Sequence, residues 1–289
     1  MRFADIYTAN EPAVSFELFP PKTMEGENSL RRHVAVLMQF HPRYITCTYG
    51  AGGSTRDKTL EIVSRVKSEF SVPVASHLTC VGATVDELRQ FLSDAQQRDV
   101  DYVVALRGDP PQGQNQFVPA RNGLRYANEL VSLIRTEFPD FGIAVAGYPE
   151  THREAPSPEI DLQNLKRKVD AGADVVITQL FYDNRDFFAF RNRVEAAGIR
   201  IPLIPGILPI TNLAQVQRIT GLCGARLPES LVSRMSQHDT EDWQMKVGVE
   251  FATAQVHELI SQGVPGLHFY VLNKSEATVQ VLKGIGNRQ

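Results

Sequence analysis

The chain has 289 residues, 43% of them hydrophobic and 22% charged, with a formal net charge of −3. That length allows one large α/β domain or two small ones, and the slightly acidic balance argues against a nucleic-acid binder, which carries a basic stripe. Cys47, Cys80 and Cys223 show no CxxC spacing, "MRFADIYTANEP" holds no apolar signal region, and no run reaches membrane-span length, so a soluble cytoplasmic protein is expected.

From the N-terminus, strand-like and helix-like segments alternate. "AVSFELF" precedes "MEGENSLRRHVAVLMQF", "YITCTY" precedes "RDKTLEIVSRVKSEF", and "PVASHLTC" precedes "TVDELRQFLSDAQQRD". "YVVALRG" precedes "GLRYANELVSLIRTEF", "GIAVAGYP" precedes "EIDLQNLKRKVDAG", and "VVITQLFY" precedes "NRDFFAFRNRVEAAG". "PLIPGILP" is followed by "NLAQVQRITGLC", "PESLVSRMSQ" and "TEDWQMKVGVEFATAQVHELISQG", and last come "GLHFYVLN" and "SEATVQVLKGIG". Eight strands, each followed by at least one helix, predict a closed (β/α)8 TIM barrel with extra helices before the last strand. An open doubly wound sheet is the competing architecture. Its nearest GxGxxG candidate, "YGAGGST", lacks the third glycine and reads as a tight strand-to-helix turn. No linker or low-complexity tract interrupts residues 1–289, which are read as a single barrel domain.

In such a barrel the reactive face is the C-terminal end of the strands. The polar residues that break the apolar pattern there are Glu17, Thr48, Tyr49, His77, Arg107-Gly108-Asp109, Tyr148, Thr178-Gln179 and Asn273-Lys274. On the first strand Val14, Phe16 and Leu18 share one face, and Ser15 and Glu17 the other. The alternation also predicts that Val103 and Ala105 lead to Arg107 and Asp109 on a single face, and Val175 and Ile177 to Gln179. Each residue has an ordinary structural reading: Glu17 as a buried partner of Arg107, Asp109 as a loop cap. A core has no use for so many polar groups at one end, so the ring as a whole is read as functional. His268 in "LHFY" is read as a core histidine, and a thiolate zinc site at Cys47, Cys80 and Cys223 is not favoured because Cys223 falls on a helix; no metal is expected. Asp161, Asn164, Arg167 and Lys168 recur at three- to four-residue spacing on one helix, which alone is an ordinary solvated face.

"SFELFPPKT", "TYGAGGSTRD", "HLTC", "ALRGDPP", "YPETH", "DLQNLKRKVDAGAD", "ITQLFYD" and "PGILPI", in this order, resemble the methylenetetrahydrofolate reductases over nearly the whole chain. The resemblance implies a (β/α)8 barrel that binds FAD along its rim without a Rossmann domain. It implies reduction of 5,10-methylenetetrahydrofolate to 5-methyltetrahydrofolate with NADH or NADPH in a ping-pong sequence. Matched motif by motif, Glu17 takes the place of the general acid and Thr48 that of the nicotinamide contact. Tyr49, Ala51, His77, Arg107, Gly108, Asp109, Ala127, Tyr148, His152, Asp161, Asn164, Arg167 and Lys168 match flavin-binding positions. Asp109 and Gln179 match contacts to the pterin ring, and Gln215 and Lys274 the outer folate contacts. Two positions depart from the pattern: Ile219 stands where some bacterial relatives carry a stacking aromatic, and Lys274 where relatives often have Arg, which grips a carboxylate bidentately. Control by S-adenosylmethionine through a C-terminal regulatory domain is not expected; a homo-oligomer is. A methyl-transfer barrel working with folate or a corrinoid, and a flavin barrel of the proline-dehydrogenase type, are the alternatives.

The resemblance gives Glu17 a task. Protonating N10 of the substrate opens its aminal to an N5 iminium that accepts hydride, which needs an acid still protonated near neutral pH. Burial at an apolar strand and the like charge of Asp109 are expected to raise the Glu17 pKa, with Arg107 turned away toward the flavin pyrophosphate.

Overall fold

The alternation of the first strand decides how the barrel is filled. In the computed structural model, which describes residues 3–8, 11–49, 56–110, 113 and 116–286, β1 (Ala13–Leu18) turns Phe16 and Leu18 outward, into the apolar layer between strands and helices. Ala13, Ser15 and Glu17 point into the lumen. The remaining strands are β2 (Tyr44–Cys47), β3 (Val74–Thr79), β4 (Tyr102–Leu106), β5 (Gly142–Gly147), β6 (Val175–Leu180), β7 (Leu203–Ile207) and β8 (Gly266–Tyr270). Each pairs in parallel with the next, and β8 returns to β1, so the eight strands close as the sequence predicts.

Between them run α1 (Met24–Leu37), α2 (Arg56–Phe70), α3 (Val85–Gln97), α4 (Ala127–Glu137), α5 (Pro158–Asp170), α6 (Asn184–Ala196), α7 (Leu213–Cys223), α8 (Glu229–Met235), α9 (Glu241–Ser261) and α10 (Glu276–Gly286). The three helices α7, α8 and α9 fill the interval between β7 and β8. Several starts are set by capping side chains: Thr84 and Glu87 cap α3 reciprocally, Ser157 caps α5 with Pro158 behind it, and Asn212 caps α7. Among the described residues no helix is long and apolar enough to cross a membrane.

The lumen has an apolar floor and a polar top. A short 3-10 helix, Phe3–Tyr7, plugs the floor: the Phe3 ring stacks on Tyr102 at 4.0 Å between centroids and meets Tyr44 edge-on at 5.1 Å. Ala75, Val104, Ala144, Val175, Ile177 and Ile204 complete this inner cluster. Apolar groups thus seal one end, and polar side chains collect at the other.

The phase of β4 differs from the expected one. Val103 and Ala105 belong to the helix-facing layer, while Tyr102, Val104 and Leu106 face the lumen. Arg107 therefore does not continue an inward face. A barrel strand buried on both sides is apolar at every position, so its alternation carries no phase. On β6 Val175 and Ile177 face inward as expected, and the pairing with β7 shifts register between Ile177 and Leu180.

Candidate active site

Glu17 stands at the top of the lumen, 7% exposed, and its partners are two imidazoles. His77 on β3 brings Nε2 to 3.1 Å from Glu17 Oε2, and His268 on β8 brings its own Nε2 to 3.3 Å from the same oxygen. The His268 contact has hydrogen-bond geometry; the His77 nitrogen is at ion-pairing distance but out of hydrogen-bond alignment. His268 is wholly buried and its Nδ1 lies 2.8 Å from Ser15 Oγ, so Ser15, His268 and Glu17 form a chain across the β1–β8 seam. The ring is further held by stacking on Tyr44 and an edge contact to Tyr270. Thr46, opposite Glu17 in register, has a buried hydroxyl with no hydrogen-bond partner among the described residues.

This arrangement corrects the expected charge state. Burial alone pushes the Glu17 carboxyl up, but the His77 charge and the His268 hydrogen bond outweigh it and hold the pKa down at about 2. Asp109 has no part in this balance; it is exposed beyond the end of β4 and acts instead on Tyr148 and Arg107. At neutral pH Glu17 is a carboxylate between two imidazole rings. A carboxyl held below its ordinary 4.5 contributes stability above that pH, and the contribution disappears as pH falls toward about 2. The difference in unfolding free energy between the native protein and Glu17→Gln is therefore expected to shrink across that acid window, as chemical denaturation at a series of pH values would measure; a gap independent of pH there would contradict it.

Arg107 is not the partner of Glu17. It makes a two-pronged ion pair with Glu154 at 2.6 and 2.7 Å and lies over the Phe117 ring. The buried Glu17–Arg107 bridge is thereby excluded. Arg107 instead belongs to a second cluster, around the β5–α5 loop. Gly108, at φ +88°, packs where a Cβ would strike Val81, so the left-handed turn needs glycine. Tyr148 meets His152 edge-on at 4.7 Å. The Asp161 carboxylate accepts the His152 backbone N–H at 3.1 Å, and burial raises its pKa. Burial lowers the pKa of His152, helped by the charge of Arg107. Asn164 and Arg167 pair with each other on the exposed side of α5.

Lys168 is the unusual member. It carries an ammonium turned inward from α5, donating to the Ala146 carbonyl at 2.5 Å and lying 5.9 Å from the Tyr148 ring centroid. Burial lowers its pKa to about 8, against the opposing pull of Asp161. An ammonium has three donors, so one carbonyl leaves capacity for an anion. That spare capacity suits an anion such as a phosphate, at one of the positions that the resemblance implies for flavin.

The other assigned residues are more dispersed. Thr48 follows β2, its backbone N–H donating to Leu18 at 3.0 Å. Tyr49 is buried with its hydroxyl engaged by Thr79, both side chain and backbone N–H. Ala51 lies outside the described residues. Ala127 opens α4, where Glu129 accepts the N–H groups of Arg125 and Tyr126. Gln179 turns its amide oxygen onto its neighbour Leu180. Gln215, in the first turn of α7, and Lys274, after β8, are exposed. Ile219 packs with the apolar cluster under α7. Burial raises the thiol pKa of Cys47 and Cys80. A surface depression of about 520 Å³ beside Thr84 and Arg89 lies at the start of α3, where the reciprocal cap already satisfies helix N–H groups.

A family model described as methylenetetrahydrofolate reductase matches residues 2–286. The chain belongs to the methylenetetrahydrofolate reductase family. It is 40% identical over 276 residues to the 5,10-methylenetetrahydrofolate reductase of Escherichia coli (strain K12), covering 95% of this chain and 91% of that one. It is 39% identical over 287 residues to methylenetetrahydrofolate reductase (NADH) 1 of Arabidopsis thaliana, covering 96% of this chain and 48% of the plant protein. The chain thus spans about half the length of the plant relatives it matches. Among solved structures, an uncharacterized protein from Clostridium thermocellum, described as binding two copies of 5-methyl-5,6,7,8-tetrahydrofolic acid, superposes with a TM-score of 0.62. It covers 99% of each chain at 15% identity, which is agreement in fold. Reductase-family membership and barrel architecture therefore agree.

Proposed function

We propose that this chain is an FAD-dependent reductase that converts 5,10-methylenetetrahydrofolate to 5-methyltetrahydrofolate with NADH or NADPH, with Glu17 as the acid that opens the substrate ring. The observation that carries the mechanism is the Glu17 carboxylate held by His77 and His268 at the polar end of a sealed barrel. FAD, when bound, supplies the hydride that becomes part of the N5 methyl group. The chain's own work is to deliver a proton and to hold the reactants.

A resting carboxylate can serve as an acid only if a proton reaches it. His268, whose Nε2 is in hydrogen-bond alignment with Oε2, is the side chain placed to pass one proton to it, leaving a ring with one proton fewer and a neutral carboxyl. The carboxyl then protonates N10, the N10–methylene bond breaks with its electron pair retained on N10, and the N5 iminium is released for reduction. The cluster ends one proton poorer and is recharged from solvent. Asp109 and Gln179 take the pterin ring by hydrogen bonds. Gln215 and Lys274 take the distal part of folate, where an exposed ammonium suits a carboxylate as a point charge. Thr48 takes the nicotinamide. Tyr49, Ala51, His77, Arg107, Gly108, Ala127, Tyr148, His152, Asp161, Asn164, Arg167 and Lys168 form the flavin surface with Asp109, and Arg107 must first part from Glu154 to face a phosphate. The plant relatives are named for NADH, so NADH is the first donor to test.

The test is spectroscopic. The purified protein is expected to be yellow, to release FAD on denaturation, to bleach with NADH or NADPH under anaerobic conditions, and to recover colour on adding methylenetetrahydrofolate. Colourless protein that gains no activity with FAD would defeat the proposal. Bleached protein that proline or a corrinoid substrate, but not folate, reacts with would favour the other barrel classes.

A further inference from the structure

Beyond β8 the chain does something costly. Leu272 and Asn273 both have left-handed backbones, at φ 47° and 58°, and the Lys274 N–H closes the turn onto the Val271 carbonyl at 2.8 Å. Two consecutive positive-φ residues make a turn normally reserved for Gly and Asn, and a leucine in the first of them is strained. Such strain persists only where surrounding contacts over-determine it, and it collects at sites with a task.

The contact that holds this turn is made by the Asn273 side chain. Its Oδ1 accepts the Phe19 N–H at 2.8 Å, and its Nδ2 donates to the Phe19 carbonyl at 2.7 Å. The amide thus imitates the backbone of a neighbouring strand and extends the β1–β8 ladder beyond its last regular rung. That rung is weak: the Val271 N–H reaches the Glu17 carbonyl at 3.3 Å. Glu17 and His268 face each other across this same seam, on β1 and β8. Any slip of the seam changes their separation directly.

We propose that Asn273 is a positioning residue, an amide clamp on Phe19 that sets the alignment of the Glu17 carboxylate with His268. It touches neither carboxylate nor ring and acts through the backbone two residues after Glu17. The strained turn also sends Lys274 to the exposed rim, so one device serves the proton donor and the distal folate contact. The inference rests on the reading of Glu17 as the acid, and its first readout is independent of turnover.

Three variants separate the clamp from mere turn formation. Asn273→Gly keeps the left-handed turn at lower backbone cost but removes both hydrogen bonds. Asn273→Ala removes the bonds and keeps the strain. Leu272→Gly relieves the strain and keeps the clamp. In holoprotein carrying ¹³C-labelled glutamate, the Glu17 carboxyl of Asn273→Gly is expected to titrate at higher pH than that of the native protein, because its imidazole alignment is loosened. Reoxidation by methylenetetrahydrofolate is expected to slow about tenfold or more, while reduction by NADH stays within about twofold and FAD content is unchanged. Leu272→Gly is expected to match the native protein in every readout. A native Glu17 titration and native folate rate in Asn273→Gly would overturn the proposal and leave Asn273 a turn former. Equal loss in both half-reactions with loss of FAD, in Asn273→Gly as in Asn273→Ala, would overturn it in favour of a general folding role. If the native protein does not react with folate at all, the acid reading fails, and the Glu17 titration still decides whether the clamp exists.

Discussion

Glu17→Gln is expected to leave reduction by NADH largely intact and to cut reoxidation by methylenetetrahydrofolate by roughly 10²- to 10⁴-fold, the range that general acid catalysis contributes. Glutamine keeps the shape of the side chain but has no transferable proton. Only the folate step needs that proton, since hydride transfer from nicotinamide involves no ring opening. The distinction matters because Glu17 is also a structural anion. Removing its charge leaves His77 and His268 facing an amide, and breaking a buried pair by one partner typically costs about 3–5 kcal/mol. If that structural loss dominated, both half-reactions would fall together through lost protein or lost flavin. Stopped-flow measurement of the two steps on one preparation separates the cases. A folded, FAD-loaded variant reoxidised by folate at the native rate would end the acid assignment.

The imidazole pair gives that experiment a second edge. Because Glu17 rests ionised, the proposed acid role needs a proton delivered to its carboxylate, and His77 and His268 are the side chains that face Oε2. His268→Asn is the sharper probe of the two positions, since it interrupts the only side-chain contact to the Glu17 carboxylate that has hydrogen-bond alignment among the described residues and unlinks Ser15.

The barrel was legible in the alternation of strands and helices because each β-then-α unit buries the same two faces whatever its detailed chemistry. Glu17 was legible because Val14, Phe16 and Leu18 fill the opposite face of its strand and leave the carboxylate as an anomaly. His268 was not, and the reason is instructive. As a single residue among Leu267 and Phe269 it reads as core, which its complete burial bears out. Its chemistry appears only when barrel closure puts β8 beside β1, so that His268 and Tyr270 face inward beside Ser15 and Glu17. Two strands with paired polar residues in the same inward phase, at the two ends of a closing barrel, were the available signal. Arg107 was misplaced in phase because β4 is apolar on both faces. The Glu17 pKa was expected in the wrong direction because sequence order makes Asp109 a rim neighbour without giving its distance. The side chains that reach Glu17 come from β3 and β8. The strained turn at Leu272 and Asn273 left no trace in composition, since backbone angles at non-glycine residues are set by tertiary contacts such as the Phe19 clamp.

Lys168→Met should weaken FAD retention by roughly 10- to 100-fold, the equivalent of one charge-assisted contact of about 1.5–3 kcal/mol. Methionine preserves most of the apolar stem and removes the ammonium, including its position over the Tyr148 ring. The pH dependence supplies the discriminating sign. Burial holds the Lys168 pKa down to about 8 in the unliganded protein, so above that pH the side chain loses its proton and its charge. A bound phosphate favours the ammonium, hence FAD binding takes up a proton where lysine is neutral, and affinity declines as pH rises past about 8. Ultrafiltration of the holoprotein between about pH 6.5 and 9.5 should show retention falling on the alkaline side in the native protein and flat in Lys168→Met. The structural alternative is that Lys168 only ties α5 to the Ala146 carbonyl of β5. In that case the substitution lowers the melting temperature while FAD affinity and its pH profile stay native, and α5 returns to being a helix whose inward cation holds the barrel rather than the cofactor.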